Sequence, residues 1–75
     1  MINNKGKYLE FVKRLGKNIS RVRKKRGYSI KELSQKTGFS ENYLSRLEAG
    51  LTTRTSISRL VVVAQYLGVK LYTLF

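Results

Sequence analysis

Four polar residues that lie close together, Glu41, Asn42, Ser45 and Arg46, have side chains that form hydrogen bonds in defined directions. In a helix their spacing places all four on one face, because the helix repeats every ~3.6 residues. The planar Arg46 guanidinium matches guanine O6 and N7 or two phosphate oxygens, and Asn42 can form two hydrogen bonds with adenine. Glu41 can accept a hydrogen bond from the cytosine amino group. This group therefore predicts hydrogen bonding to the edges of base pairs.

Each of these side chains also has an interpretation that involves no ligand. Glu41 would be stabilised by the dipole at the start of a helix whether or not it meets a base. Asn42 and Arg46 would equally suit a solvated helix surface. The ring of the neighbouring Tyr43 either packs against a sugar, with its hydroxyl on a phosphate, or packs on the turn before the helix. The sequence leaves these alternatives open.

A second set of residues is suited to binding backbone phosphates. Amide groups at a helix start bind anions, and two serines precede predicted helices. Arg54 lies in a predicted loop, 51–55, where it either meets phosphates or is solvated. The residues predicted to contact phosphates are Ser29, Lys31, Ser40, Thr52, Thr53 and Arg54.

The segment 30–49 must position the base-facing side chains. Its apolar residues, with the small Ser34 and with Gly38, predict two short helices packed at a steep angle around a tight turn. Ser34 permits a close approach of the helices, and Gly38 can adopt the left-handed conformation. This helix-turn-helix pattern presents its second helix to the major groove of DNA.

The first helix is predicted from about Tyr8 to Arg26 by apolar residues at steps of three or four. Gly16 weakens its middle by about 1 kcal/mol relative to alanine, and Gly27 ends it. The apolar stripe consists of Leu9, Val12, Leu15, Ile19 and Val22.

Serine caps and glycine stops predict the later helices. The second begins at Ser29, which forms a capping box with Glu32, and ends at Gly38. The third is capped by Ser40 and ends before Gly50. The fourth runs from the Ser56 cap to Leu67, with an inward face of Ile57, Leu60, Val63, Ala64 and Leu67. A last helical turn is predicted within 69–75, with Leu71, Leu74 and Phe75 turned to the core.

The composition indicates one small all-α domain. The 75 residues include no proline, cysteine or histidine and only four acidic residues, which excludes thiolate metal sites, zinc sites and hydrolytic triads. We therefore expect neither an enzyme nor a cofactor, and no small-molecule ligand is evident. Residues 1–7 are predicted to be a flexible N-terminus and 8–75 the folded domain. Without a membrane-spanning stretch or a secretory signal, the protein is expected to be cytoplasmic.

The net charge of +12, from sixteen basic and four acidic residues, predicts a polyanionic partner. Phosphate neutralisation would supply an affinity that falls with salt. The basic residues of the first helix surround it, so we expect only those near the second helix, such as Lys24 and Lys25, to lie close to nucleic acid. A membrane surface also attracts basic amphipathic helices, but here the apolar stripe is needed for the core.

The segments RVRKKRG, KELS, YLSRLE and LGV together resemble the XRE family of Cro/repressor-like helix-turn-helix proteins. The resemblance covers about Leu15 to Phe75 and implies a compact five-helix bundle like the lambda-repressor DNA-binding domain. It also implies a transcription regulator that binds palindromic operators in double-stranded DNA as a homodimer. By position, the family's base-reading residues fall on Glu41, Asn42 and Arg46.

The resemblance has two further implications. Arg23 and Glu48 match a family pair that joins the first helix to the end of the third, the alternative being two independent surface charges. The family usually has a glutamine after the second-helix cap, where it binds a phosphate. Ile30 cannot form that hydrogen bond, so the contact is expected to depend on backbone amides, Lys31 or Tyr28.

The fourth helix has more apolar residues than its core face requires. Val62 and Tyr66 lie four residues apart and form, with Tyr72, a predicted exposed patch through which two copies would pair. The alternative is that this patch packs under the first helix. The competing function is a protein-interaction module, antitoxin-like or partner-binding, that uses the same surface. Within the family, the roles considered are phage repressor, restriction-modification controller and antitoxin.

Overall fold

The computed structural model describes residues 5–52 and 55–75, and every regular element within them is helical. The all-α prediction is confirmed, but the prediction of five α-helices is wrong, because the described residues form four. The last element is a 3-10 helix: it is only one turn long and its N-cap, Lys70, makes no side-chain capping bond, which favours the tighter geometry. The elements are α1 (Lys5–Lys25), α2 (Ile30–Thr37), α3 (Glu41–Glu48), α4 (Ile57–Leu67) and the C-terminal 3-10 helix (Leu71–Leu74).

α2, α3 and α4 each begin directly after the serine predicted to cap them, whereas the start of α1 differs from the prediction. This helix begins at Lys5, three residues before the predicted Tyr8. At α2, the Ser29 hydroxyl accepts from the Glu32 amide at 3.0 Å and the Glu32 carboxylate accepts from the Ser29 amide at 3.0 Å. These bonds lower the pKa of Glu32, first through the backbone amide and then through the hydroxyl, because they stabilise the ionised carboxylate.

The core is built from leucine, valine and isoleucine side chains of all the elements. Three residues predicted to face it do not: Leu9, Ile57 and Phe75 are 36%, 60% and 43% exposed. Leu9 and Ile57 lie near the starts of α1 and α4, where no neighbouring element covers them. Phe75 follows the 3-10 helix and packs its ring against Phe11, with the centroids 5.5 Å apart. The largest fully buried side chains are Leu15, Ile19, Leu33, Leu44, Leu47, Val63, Leu67 and Leu74.

α1 crosses the end of α3 in backbone contact at Gly16. A Cβ atom at this position would lie 2.7 Å from the Glu48 carbonyl oxygen and would also clash with that of Leu47. Gly50, just after α3, lies equally close to α1, since a Cβ there would be 2.9 Å from Lys13 Cα. The sequence identified Gly16 only as a weak point of the helix. In the structure it is the position that lets α1 and α3 meet.

We expect Gly16→Ala to lower the free energy of unfolding by about 1–3 kcal/mol, because the added methyl group pushes α1 away from α3. The higher helix propensity of alanine would by itself raise the free energy of unfolding, so the expected loss has the opposite sign. Urea unfolding followed by circular dichroism measures the change.

The matched control for this substitution is Gly6→Ala in the same helix, where an added Cβ has nothing within 4 Å. It should shift stability by less than about 0.5 kcal/mol. Equal stability of Gly16→Ala and the wild type would show that the close contact is not required.

Candidate nucleic-acid interface

A hydrogen-bonded turn joins α2 to α3. Gly38 has a φ of 80°, which residues with a Cβ rarely adopt, and its N–H donates to the Ser34 carbonyl. The Ser34 hydroxyl donates to the Phe39 carbonyl at 2.5 Å. The Thr37 hydroxyl donates to the Leu33 carbonyl at 2.8 Å and accepts from the Phe39 amide at 3.2 Å. These bonds fix the angle at which α3 leaves α2.

α3 has one apolar face in the core and one polar face in solvent. Its two leucines are fully buried. The Ser40 hydroxyl caps the helix by accepting from the Tyr43 amide at 3.0 Å, which fixes the first turn. The exposed residues, which the structure brings together on the accessible face, are Glu41, Asn42, Ser45 and Arg46.

Tyr43 lies at the edge of this face and makes three side-chain contacts. Its hydroxyl is 2.7 Å from the Thr55 hydroxyl, and its ring centroid is 5.5 Å from that of Phe39 in an edge-on arrangement. The guanidinium carbon of Arg59 lies 5.2 Å from the Tyr43 ring centroid. Tyr43 is therefore packed on the turn. Arg59 was missed by the sequence reasoning, because periodicity within α4 does not report its distance from α3.

A groove runs between α3 and the segment that leads to α4. Thr53 and Arg54, which the sequence also predicts as phosphate contacts, lie outside the described residues. The described lining combines residues predicted from the sequence with two that were not predicted, Leu51 and Arg59. Its polar side chains include Asn42, Arg46, Thr52 and Arg59.

The start of α2 also lies on the surface. Ser29 and Lys31 are exposed, whereas Ile30 between them is half-buried and packs against the core. The Ile30 side chain has no hydrogen-bonding group. The groups that remain to bind an anion here are therefore the amides of the helix start and the Lys31 ammonium.

Arg23 and Glu48 join α1 to the end of α3. Arg23 Nε and Nη2 donate to the two Glu48 carboxylate oxygens at 2.6 and 2.9 Å, and Nη1 donates to the Tyr28 carbonyl at 2.8 Å. Only 11% and 10% of the two side chains are exposed. The pKa of Arg23 is raised above its ordinary value, chiefly by its hydrogen bonds to Glu48. The pair holds α1, the start of α2 and the end of α3 in one arrangement.

Among the described side chains, those of residues 6–52 and 55–75, Arg23–Glu48 is the only ion pair with a nitrogen–oxygen distance within 4 Å. In the same ranges, no three acidic residues come together as metal ligands would. None of the described helices has the length and apolar character needed to cross a bilayer. Most of the positive charge on the described side chains is thus not neutralised by ion pairs among them.

The apolar patch predicted from the sequence lies on the surface of α4 and the 3-10 helix. Tyr66 and Tyr72 are 45% and 75% exposed, Val62 is half-buried, and the adjacent Val61 is 44% exposed. The alternative, in which α1 covers the patch, is therefore wrong for the two tyrosines.

Comparison with known proteins places this geometry among transcription regulators. The helix-turn-helix family model HTH_3 matches residues 19–74. The HTH-type transcriptional regulator SinR of Bacillus subtilis (strain 168) is 42% identical over 60 residues, which are 80% of this chain and 54% of SinR. The chain thus spans about half the length of this curated relative.

Two solved structures are similar to most of the bundle. The crystal structure of SinR, the master regulator for biofilm formation, in complex with DNA has a TM-score of 0.75 and 42% identity, over 80% of this chain and 95% of that one. The restriction-modification controller protein C.AhdI from Aeromonas hydrophila has a TM-score of 0.80 and 23% identity, over 88% of this chain and 97% of that one. At that identity, C.AhdI supports the fold alone.

We expect Glu48→Ala to lower the free energy of unfolding by about 3 kcal/mol, because Arg23 would keep a mostly buried charge without its carboxylate partner. Glu41→Ala removes an exposed carboxylate from the same helix and is the matched control. It should cost less than about 1 kcal/mol, through the helix dipole. Chemical unfolding at neutral pH compares them, and similar costs for the two variants would contradict a stabilising role for the pair.

Proposed function

The chain belongs to the HTH_3 helix-turn-helix family, the XRE class of regulators, and from this membership we propose that it is a sequence-specific transcription regulator that binds double-stranded DNA. The observation that carries the proposal is the exposed polar face of α3 over a fully buried leucine pair. A helix presented in this way fits the major groove, where base edges distinguish all four base pairs. The proposed function is recognition and involves no catalysed reaction.

The polar face of α3 contains the groups that base recognition needs. Arg46 is proposed to bind guanine and Asn42 adenine, each through paired hydrogen bonds. Glu41 accepts from a cytosine amino group, and Ser45 supplies a hydroxyl that serves as donor or acceptor.

The unneutralised positive charge supports binding to the DNA backbone. Phosphate contacts give affinity without sequence preference and hold the protein in register. The starts of α2 and α3 offer amides to phosphates. The residues proposed for these contacts are Ser29, Lys31, Ser40, Thr52, Thr53 and Arg54, with Tyr43 at the edge.

We further propose that two copies pair through the patch formed by Val62, Tyr66 and Tyr72 and bind a palindromic operator. Residues 60–69 contain no charged side chain, although the chain carries +12. Two copies that meet along this stretch bring fewer like charges together than elsewhere on the surface, since the cations next to it, Arg59 and Lys70, lie at its two ends. A two-fold axis at this patch would set two α3 helices about 34 Å apart, one turn of DNA.

The function is tested by fluorescence anisotropy with a random-sequence duplex and a duplex selected by the wild type from a randomised pool. We expect affinity to fall steeply with salt and to favour the selected duplex by at least about 10³-fold. Arg46→Ala should lose about 1–3 kcal/mol on the selected duplex and relax discrimination at one base pair.

Lys31→Ala is the matched control for Arg46→Ala, because it removes one exposed cation that faces phosphates. It should weaken binding to both duplexes by the same factor. Uniform weakening by Arg46→Ala would make Arg46 a phosphate contact. Equal wild-type affinity for both duplexes would instead favour the protein-interaction module.

For the dimer, we expect Tyr72→Glu to convert the protein to monomers in sedimentation velocity, because two carboxylates would face each other across the axis. Tyr72 is 75% exposed, so the substitution leaves the fold intact. Ile57→Glu is the matched control: it places the same charge at a 60% exposed apolar position of α4 outside the patch, and should leave the dimer unchanged. A wild-type monomer, or a Tyr72→Glu dimer, would refute this interface.

A further inference from the structure

Arg59 is a cation of the groove beside α3 that the base-reading and phosphate contacts proposed so far do not use. It lies in the first turn of α4, and its side chain is exposed. Its guanidinium carbon is 5.2 Å from the Tyr43 ring centroid, within the range of a cation–π contact. It therefore lies beside α3 although it comes sixteen positions after Tyr43 in the sequence.

Both ends of this contact are held in place. The Arg59 amide donates to the Ser56 hydroxyl at 3.2 Å, which fixes its backbone in the first turn of α4. The Tyr43 ring is fixed by its hydroxyl contact with Thr55 and by the edge of Phe39. A guanidinium on such a platform loses less conformational entropy on binding than a free one.

The charge of Arg59 is not neutralised within the described chain, where the only ion pair is Arg23–Glu48. It lines the same groove as Arg46, so two guanidinium groups share it without a carboxylate between them. A cation–π contact consumes no hydrogen-bond acceptor, and the guanidinium has five N–H donors, so donors remain for a ligand. A groove with two such groups is suited to an oxyanion.

We propose that Arg59 binds a backbone phosphate next to the base pairs that face Asn42 and Arg46, and that Tyr43 is the positioning residue that holds it. This inference rests on the proposed DNA-binding function and adds a phosphate contact from α4. It also assigns Tyr43 a role: its ring orients Arg59, while its hydroxyl is engaged with Thr55.

The test measures the affinity of full-length variants for the random and the selected duplex over a salt series. Arg59→Gln should weaken binding to both duplexes by the same factor, about tenfold at low salt. It should also reduce the slope of log affinity against log salt by about one. Arg21→Gln is the matched control, because it removes one exposed cation from the surface of α1 and should change neither quantity by as much.

The role of Tyr43 is tested in the same assay. Tyr43→Leu should weaken binding in the wild type and have little further effect in the Arg59→Gln background, whereas a general structural defect would weaken both. Unfolding curves show whether each variant is folded, and Tyr43→Phe, which keeps the ring, should retain most of the affinity.

The outcomes separate this inference from the proposed function. A wild type that prefers its selected duplex, with Arg59→Gln no weaker than Arg21→Gln, would overturn the Arg59 contact and leave the regulator intact. A loss confined to one base pair would also overturn it, since Arg59 would then contact a base. A wild type that binds neither duplex would overturn both.

Discussion

The presentation of α3 depends on one contact, the crossing of α1 over the end of α3. Gly16 brings the two backbones together, and Arg23 and Glu48 close the same junction with paired hydrogen bonds. The Arg23 guanidinium also donates to the Tyr28 carbonyl, which joins the start of α2 to the same junction. Because no side chain of Gly16 lies between the two backbones, α1 and α3 have little room to slide past each other. The junction thus sets where the polar face of α3 points before any partner arrives.

The molecule separates its charge from its apolar surface. The cations lie on α1, on α2, around α3 and at the two ends of the stretch 60–69, where Arg59 and Lys70 stand. The stretch 60–69 itself has no charged side chain and covers most of α4. Electrostatic repulsion between copies is therefore weakest along this stretch, while a polyanion is attracted to the basic surfaces. One short chain can in this way have two contact surfaces with different partners.

Local features of the fold were accessible from the sequence, whereas its long-range contacts were not. Ser29 with Glu32, Ser40 and Ser56 marked the helix starts, because a cap depends on residues within three positions. The prediction that Ile57 faces the core was wrong. Periodicity assigns a residue to one face of its helix, but it does not show where the neighbouring helix that would cover that face ends. Gly16 and Arg59 act through residues far away in the sequence. From the sequence alone, Gly16 cannot be distinguished from a glycine that only weakens a helix. In the same way, Arg59 cannot be distinguished from a solvated arginine.

The exposed polar face of α3 has a consequence for how such proteins diversify. Asn42, Ser45 and Arg46 point away from the core and bond to no other side chain among the described residues. If the proposed DNA recognition holds, exchanging them would change the preferred site while the fold is kept, so a new specificity would need no compensating change in the core. Gly16 and Glu48, by contrast, take part in the junction of α1 and α3, so exchanging them would cost stability.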